Sequence, residues 1–167
     1  DMFASLIILN SLKKNSGTVI IKHANPCGVS ENKVPFLSFK NAYASDPISA
    51  FGGVIACNYK INRKIANEIR KNFLEVILAT GFDKESLKIL RSKKNLRIID
   101  ISNFKMENLT SIKSFDGSFL VQTKDNIVID KKKLKCVTKL KPTKKELAEI
   151  QFAFNICKHV KSNAIVL

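Results

Sequence analysis

An α/β fold, with a mostly parallel sheet covered by helices on both faces, is predicted from three observations. Short β-branched runs alternate with segments of helical apolar period, the runs show no polar alternation, and the composition is that of a folding chain. The 167 residues are 45% hydrophobic, with 6 Gly and 4 Pro. At about 150 residues a chain buries roughly 70% of its unfolded surface, enough for a core without staples. Disorder, collagen and a disulfide-stapled miniature are thereby excluded. No apolar run reaches the roughly 18 residues that a bilayer crossing needs, so a soluble chain that does not touch a membrane is expected. Cys27, Cys57, Cys136 and Cys157 are widely spaced, form no CxxC and accompany no signal peptide, which points to a reducing cytoplasm.

The elements follow in order. Met2 to Lys14 sets Phe3, Leu6, Ile7 and Asn10 at helical spacing behind Asp1 as a cap, and Asn15, Ser16 and Gly17 stop that helix. Thr18 to Ile21 is β-branched, too short for a helix, and reads as a strand buried on both faces. It runs into Lys22-His23-Ala24-Asn25-Pro26-Cys27-Gly28, where Asn-Pro favours a turn and Gly28 permits positive φ or a close backbone approach. Pro35 opens a helix to Ser45, and Val54 to Cys57 is the second strand. Helix Asn62 to Asn72, strand Glu75 to Ala79, a helix capped by Asp83 and ending at Arg91, and strand Leu96 to Ile101 complete the alternation.

Beyond it, Ser102 to Asp116 shows no period and reads as a long loop. Ser118 to Gln122 and Leu134 to Thr138 are expected strands, joined through Lys124-Asp125-Asn126. Thr143 and Glu146 form a capping-box pattern opening a helix to about Val160, with Leu147, Ile150, Phe154 and Cys157 on one face. A strand over Asn163 to Leu167 closes the chain. Ending in such a strand, and starting in a helix without an initiator methionine, the chain is expected to be an internal stretch of a longer one.

The net charge is +15, from 29 Lys+Arg against 14 Asp+Glu. Such a balance suits a polyanion, yet 25 of the cations are Lys and only Arg63, Arg70, Arg91 and Arg97 supply the guanidinium forks that phosphate and base readers favour. The densest cluster, Lys131 to Lys133 with Lys135, lacks interleaved aromatics. A solvated surface, with some pull on an anionic metabolite, is the plainer reading. A basic anion- or nucleic-acid-binding module without catalysis stays as the alternative.

Chemistry is expected at the carboxyl ends of strands in an open α/β sheet, where Lys22 and His23 fall. An imidazole can take or give a proton near neutrality, and a neighbouring ammonium can steady developing negative charge. A random Lys-His pair is more often surface decoration. Ser49 to Gly53 can bring backbone amides against a ligand, or simply lead tightly into a strand. With two histidines, no CxxC, no HExxH and no HxE, a metal site is not expected, and a zinc deaminase lacks its ligands. Neither GxGxxG nor a P-loop occurs. His159 reads as a half-buried surface histidine.

Three blocks at compatible spacing carry a resemblance: Lys22 to Gly28, Asp46-Pro47-Ile48-Ser49-Ala50-Phe51-Gly52-Gly53, and Lys158-His159-Val160-Lys161-Ser162-Asn163-Ala164. In that order the chain resembles, over essentially its whole length, the transformylase part of the phosphoribosylaminoimidazolecarboxamide (AICAR) formyltransferase/IMP cyclohydrolase family. The resemblance implies formyl transfer from 10-formyltetrahydrofolate, as co-substrate, to the 5-amino group of the AICAR nucleotide. It implies Lys22, His23 and Asn163 as catalytic positions and Asn25, Gly52 and Glu75 as substrate-contacting ones. It also implies a cytidine-deaminase-like lobe without zinc, and a homodimer with sites at the subunit interface. On this reading residues 1–139 form a first lobe and 140–167 open the next part. Much of the folate pocket lies elsewhere, so the chain alone is expected to be catalytically silent.

Overall fold

The computed structural model describes residues 1–106, 110–123, 125, 127, 129 and 133–167. Helix α1 (Met2–Ser11) leads to strand β1 (Gly17–Lys22), which turns directly into β2 (Asn25–Glu31). Then come α2 (Pro35–Ser45), β3 (Gly53–Cys57), α3 (Arg63–Arg70), β4 (Leu74–Ala79), α4 (Lys84–Arg91) and β5 (Arg97–Asp100). A hairpin of β6 (Thr110–Phe115) and β7 (Ser118–Thr123) precedes α5 (Lys144–Cys157).

The main sheet has the order β2-β1-β3-β4-β5. Parallel pairing holds for β3, β4 and β5, while β1 runs antiparallel to both β2 and β3. The α/β class stands and the sheet is mixed. Residue parity on the strands divides the core between its two faces. Ile20, Ile55, Cys57, Ile77 and Ala79 meet Phe39 and Ala42 of α2, Ile65 and Ile69 of α3, and Leu90 of α4. Val19, Ile21, Val54, Ala56, Val76 and Leu78 meet Ile8 and Leu9 of α1, and Ile156 of α5. Burial on both faces is why these strands read as continuous apolar runs.

Local signals were realised where a cap could be read. Asp83 accepts from the Ser86 amide at 2.6 Å. Thr143 and Glu146 close a reciprocal capping box, and Pro35 stands in the first turn of α2.

Several expectations are corrected. Residues 25–31 form a strand, because at the sheet edge Pro26 costs no ladder bond and the register shift at Cys27 absorbs the irregularity. The supposed loop 102–116 contains β6. It pairs with β7 across Asp116 and Gly117, both at positive φ, so an Asp-Gly turn closes this hairpin. Lys124 and Asn126, like Lys131 and Lys132 of the basic cluster, lie outside the described residues. Residues 134–138 and 163–167 form no strand. Helix α1 buries Ser5, Ile8 and Leu9 and leaves Phe3 exposed. Its apolar residues surround the axis, so the sheet beneath chooses the face. Asp1 makes no side-chain cap there. Helix α5 buries Gln151 and Ile156, with Ile150 and Phe154 exposed, and it ends at Cys157.

Candidate functional site

Lys22 ends β1 and pairs with Asn25, so His23 and Ala24 are the two central residues of a hairpin turn. Both lie in the left-handed region, at φ 53° and 59°. Two-residue hairpins need this conformation for their strands to twist correctly, and glycine or asparagine normally supplies it. Here two ordinary residues do, at a cost on the order of 1–2 kcal/mol each. The turn lifts the His23 side chain into solvent.

Beside the turn, the Lys22 ammonium donates to the Gly52 carbonyl at 2.9 Å. Gly52 stands at φ +66°, and a Cβ there would meet Lys22 Nζ at 2.9 Å and the Phe73 ring at 3.4 Å. The Gly52 amide donates to the Phe73 carbonyl at 2.9 Å. Phe51 and Phe73 face each other, ring centroids 4.9 Å apart, as a partly exposed apolar platform beside the ammonium. An ammonium carries three donors, so Lys22 retains two for a ligand after serving Gly52.

The direction of β1 revises the rule used to place the site. Because β1 runs antiparallel to β3, the carboxyl end of β1 meets the amino ends of β3 and β4. The site is therefore not at the carboxyl ends of the parallel strands. Glu75, exposed, occupies the register shift between Leu74 and Val76 on that same edge. Bulges of this kind re-aim side chains next to sites.

The third sequence block arrives from the other side. Lys161 donates through Nζ to the His23 carbonyl and through its backbone N–H to Asn25 Oδ1, each at 3.2 Å. Asn163 is exposed and accepts from Ser162 Oγ at 3.0 Å. That bond is local and does not join it to the Lys22–His23 turn. Lys22, His23, Asn25 and Gly52 thus form one cluster, Glu75 lies along its edge, and Asn163 stands two residues past the contact made by Lys161.

Sequence reading missed three contributors. Asp1 accepts from the Ala24 amide at 2.6 Å, a role hidden behind its cap-like position. Lys161 stands in the third sequence block, where no role was assigned to it. Asp46 accepts from the Ser49 amide and hydroxyl, at 2.9 and 2.5 Å. The Ser49 hydroxyl and amide hold the Asp46 carboxyl below its ordinary range. Only the Asp-Pro-x-Ser spacing hinted at this turn.

Neither nearby thiol is an activated nucleophile. Burial pushes the Cys27 thiol up, reinforced by Asp46 and only partly offset by its own backbone and by Lys22. Burial pushes the Cys57 thiol up to about 12. His159 Nε2 is buried without a hydrogen-bond partner among the described residues. Burial, then Lys158, lowers its pKa against the pull of Asp125. Among the described residues no group of three or more His, Cys, Asp or Glu is placed to hold a metal ion, and no helix is long and apolar enough to cross a membrane. A groove of about 930 Å³ begins at Pro26, just past the turn, between β2 and α5.

The family model described as AICARFT/IMPCHase bienzyme matches residues 1–167. The bifunctional purine biosynthesis protein PurH of Thermoanaerobacter sp. (strain X514) is 43% identical over 167 residues, covering 100% of this chain and 32% of that protein. The PurH protein of Chelativorans sp. (strain BNC1) is 46% identical over 157 residues, 92% of this chain and 29% of that protein. The chain therefore spans about a third of the length of these relatives. Among solved structures, the apo dCMP deaminase of the cyanophage S-TIM5 aligns with a TM-score of 0.44 at 10% identity, covering 59% of this chain and 92% of that one.

Proposed function

From the premise that the chain belongs to the AICARFT/IMPCHase bienzyme family, we propose that it carries the Lys-His part of an AICAR formyltransferase site. The observation that supports this best is the convergence of three distant blocks on one turn. The ammonium of Lys22 meets Gly52, and Lys161 meets the backbone of His23.

The chemistry asks for these groups. The 5-amino group of an aminoimidazole carboxamide is a poor nucleophile, because its lone pair is delocalised into the ring. His23, solvent-facing on its turn, takes the amine proton as nitrogen attacks the formyl carbon of 10-formyltetrahydrofolate. General-base help of this kind contributes typically about 10² to 10⁴-fold. The free donors of Lys22 stabilise the tetrahedral oxyanion or the departing folate nitrogen, and Asn163 supplies a second donor. One such donor contributes roughly 3–4 kcal/mol in the transition state. Asn25, Gly52 and Glu75 line the nucleotide side. The partners of this reading are the AICAR nucleotide, the folate and a second copy of the protein. Spanning about a third of its relatives, the 167-residue chain alone transfers no formyl group.

The test is His23→Ala in the full-length polypeptide that carries this sequence. Formyl transfer should fall by at least about 100-fold, while nucleotide binding survives. Undiminished turnover refutes the assignment. Clear activity from the isolated 167 residues refutes the second statement.

A further inference from the structure

We infer that Asp1 and Lys161 are positioning residues that hold the His23–Ala24 turn in its left-handed form and so place the imidazole; the catalytic consequence rests on the reading above. Consecutive non-glycine residues at positive φ persist only where the surroundings over-determine them. Here the determinants are visible. The Asp1 carboxylate takes the Ala24 amide at 2.6 Å, a charge-assisted bond of the stronger kind. The Lys161 ammonium donates to the His23 carbonyl, and the Lys161 backbone N–H donates to Asn25 Oδ1, both at 3.2 Å.

All three bonds clamp the turn without engaging the imidazole ring. Two end on backbone atoms of the turn, and the third holds the side chain of Asn25, the residue that closes it. Asp1 spends its side chain here in place of capping α1. Neither Asp1 nor Lys161 enters an ion pair among the described residues. The clamp joins the start of α1 to the segment after α5 across 138 residues of sequence between His23 and Lys161. It leaves His23 exposed for a substrate while fixing where its Cα and Cβ point.

The experiment has two arms. In the first, amide NMR and hydrogen exchange are recorded on the full-length polypeptide that carries this sequence, labelled at alanine. The Ala24 amide should shift with the titration of the Asp1 carboxyl. Asp1→Ala should speed its exchange by about tenfold or more, whereas Asp1→Asn, which keeps an acceptor oxygen, should retain part of the protection. In the second, formyl transfer is measured on the full-length polypeptide. Asp1→Ala and Lys161→Met should each lower kcat by about tenfold to a hundredfold, with the nucleotide KM within about twofold. Asp1→Asn should recover part of the loss. If Asp1→Ala does not fold, Lys161→Met, which removes only the ammonium, decides. An Ala24 amide indifferent to Asp1, or an unchanged kcat in the variants of an enzyme that needs His23, overturns the inference. If His23→Ala keeps full turnover, the functional reading itself has failed, and the exchange data still judge the clamp.

Discussion

Replacing Gly28 with alanine tests the close approach of β2 to α2. A Cβ at Gly28 would lie 1.9 Å from the Ala42 carbonyl oxygen and 2.9 Å from its carbon. Ordinary carbon-to-carbonyl contact begins at roughly 3.3 Å, so the two backbones must part by roughly 1.4 Å. Neither side can yield cheaply. Ala42 belongs to a helix whose Phe39 is buried in the core, and Gly28 is paired with Ile20. Overpacking costs typically 1–3 kcal/mol, and backbone against backbone belongs at the upper end, about 3 kcal/mol. For a chain of this size each kcal/mol moves Tm by about 2–4 °C, so thermal unfolding followed by circular dichroism should show a drop of about 6–12 °C. Gly52→Ala is the contrast. Its Cβ meets the mobile end of Lys22 at 2.9 Å, which can swing aside, leaving mainly the left-handed backbone cost of about 1–2 kcal/mol. A Gly28→Ala variant within about 4 °C of the parent, or no worse than Gly52→Ala, would refute this reasoning.

Two further outcomes follow from the same structure. Tyr59→Phe removes the hydroxyl that meets Thr18 Oγ1 at 2.5 Å inside the core. Since Thr18 keeps Ser38 at 2.9 Å, the loss should be about 1 kcal/mol, read as a lower urea midpoint at unchanged slope; an unmoved midpoint contradicts it. Asp83→Ala should cost about 1 kcal/mol at neutral pH. The Ser86 amide holds the Asp83 carboxyl below its ordinary range. The folded pKa is thus lower than the unfolded one, so the cap contributes fully above the unfolded value, about 4, and is lost as pH falls through the folded value. The gap between parent and variant should therefore close between pH 5 and pH 2; a constant gap would show that the carboxylate is not the capping group.

What the amino-acid order alone determined is whatever a few neighbouring residues decide among themselves. The runs at β1, β3 and β4 are apolar on both faces wherever they sit. The caps of α4 and α5 close between residues three apart, Asp83 with Ser86 and Thr143 with Glu146. The three blocks of the candidate site were legible as residue types for the same reason. Tertiary structure decided what depends on distant partners. It made residues 25–31 an edge strand despite Pro26, reversed β1 against β3, and chose which side of α1 and α5 to bury. It also brought Lys22 to Gly52, 30 residues away, and Lys161 to His23, 138 away. No local propensity encodes such contacts; they exist because burying both faces of one sheet leaves the chain few ways to cross it.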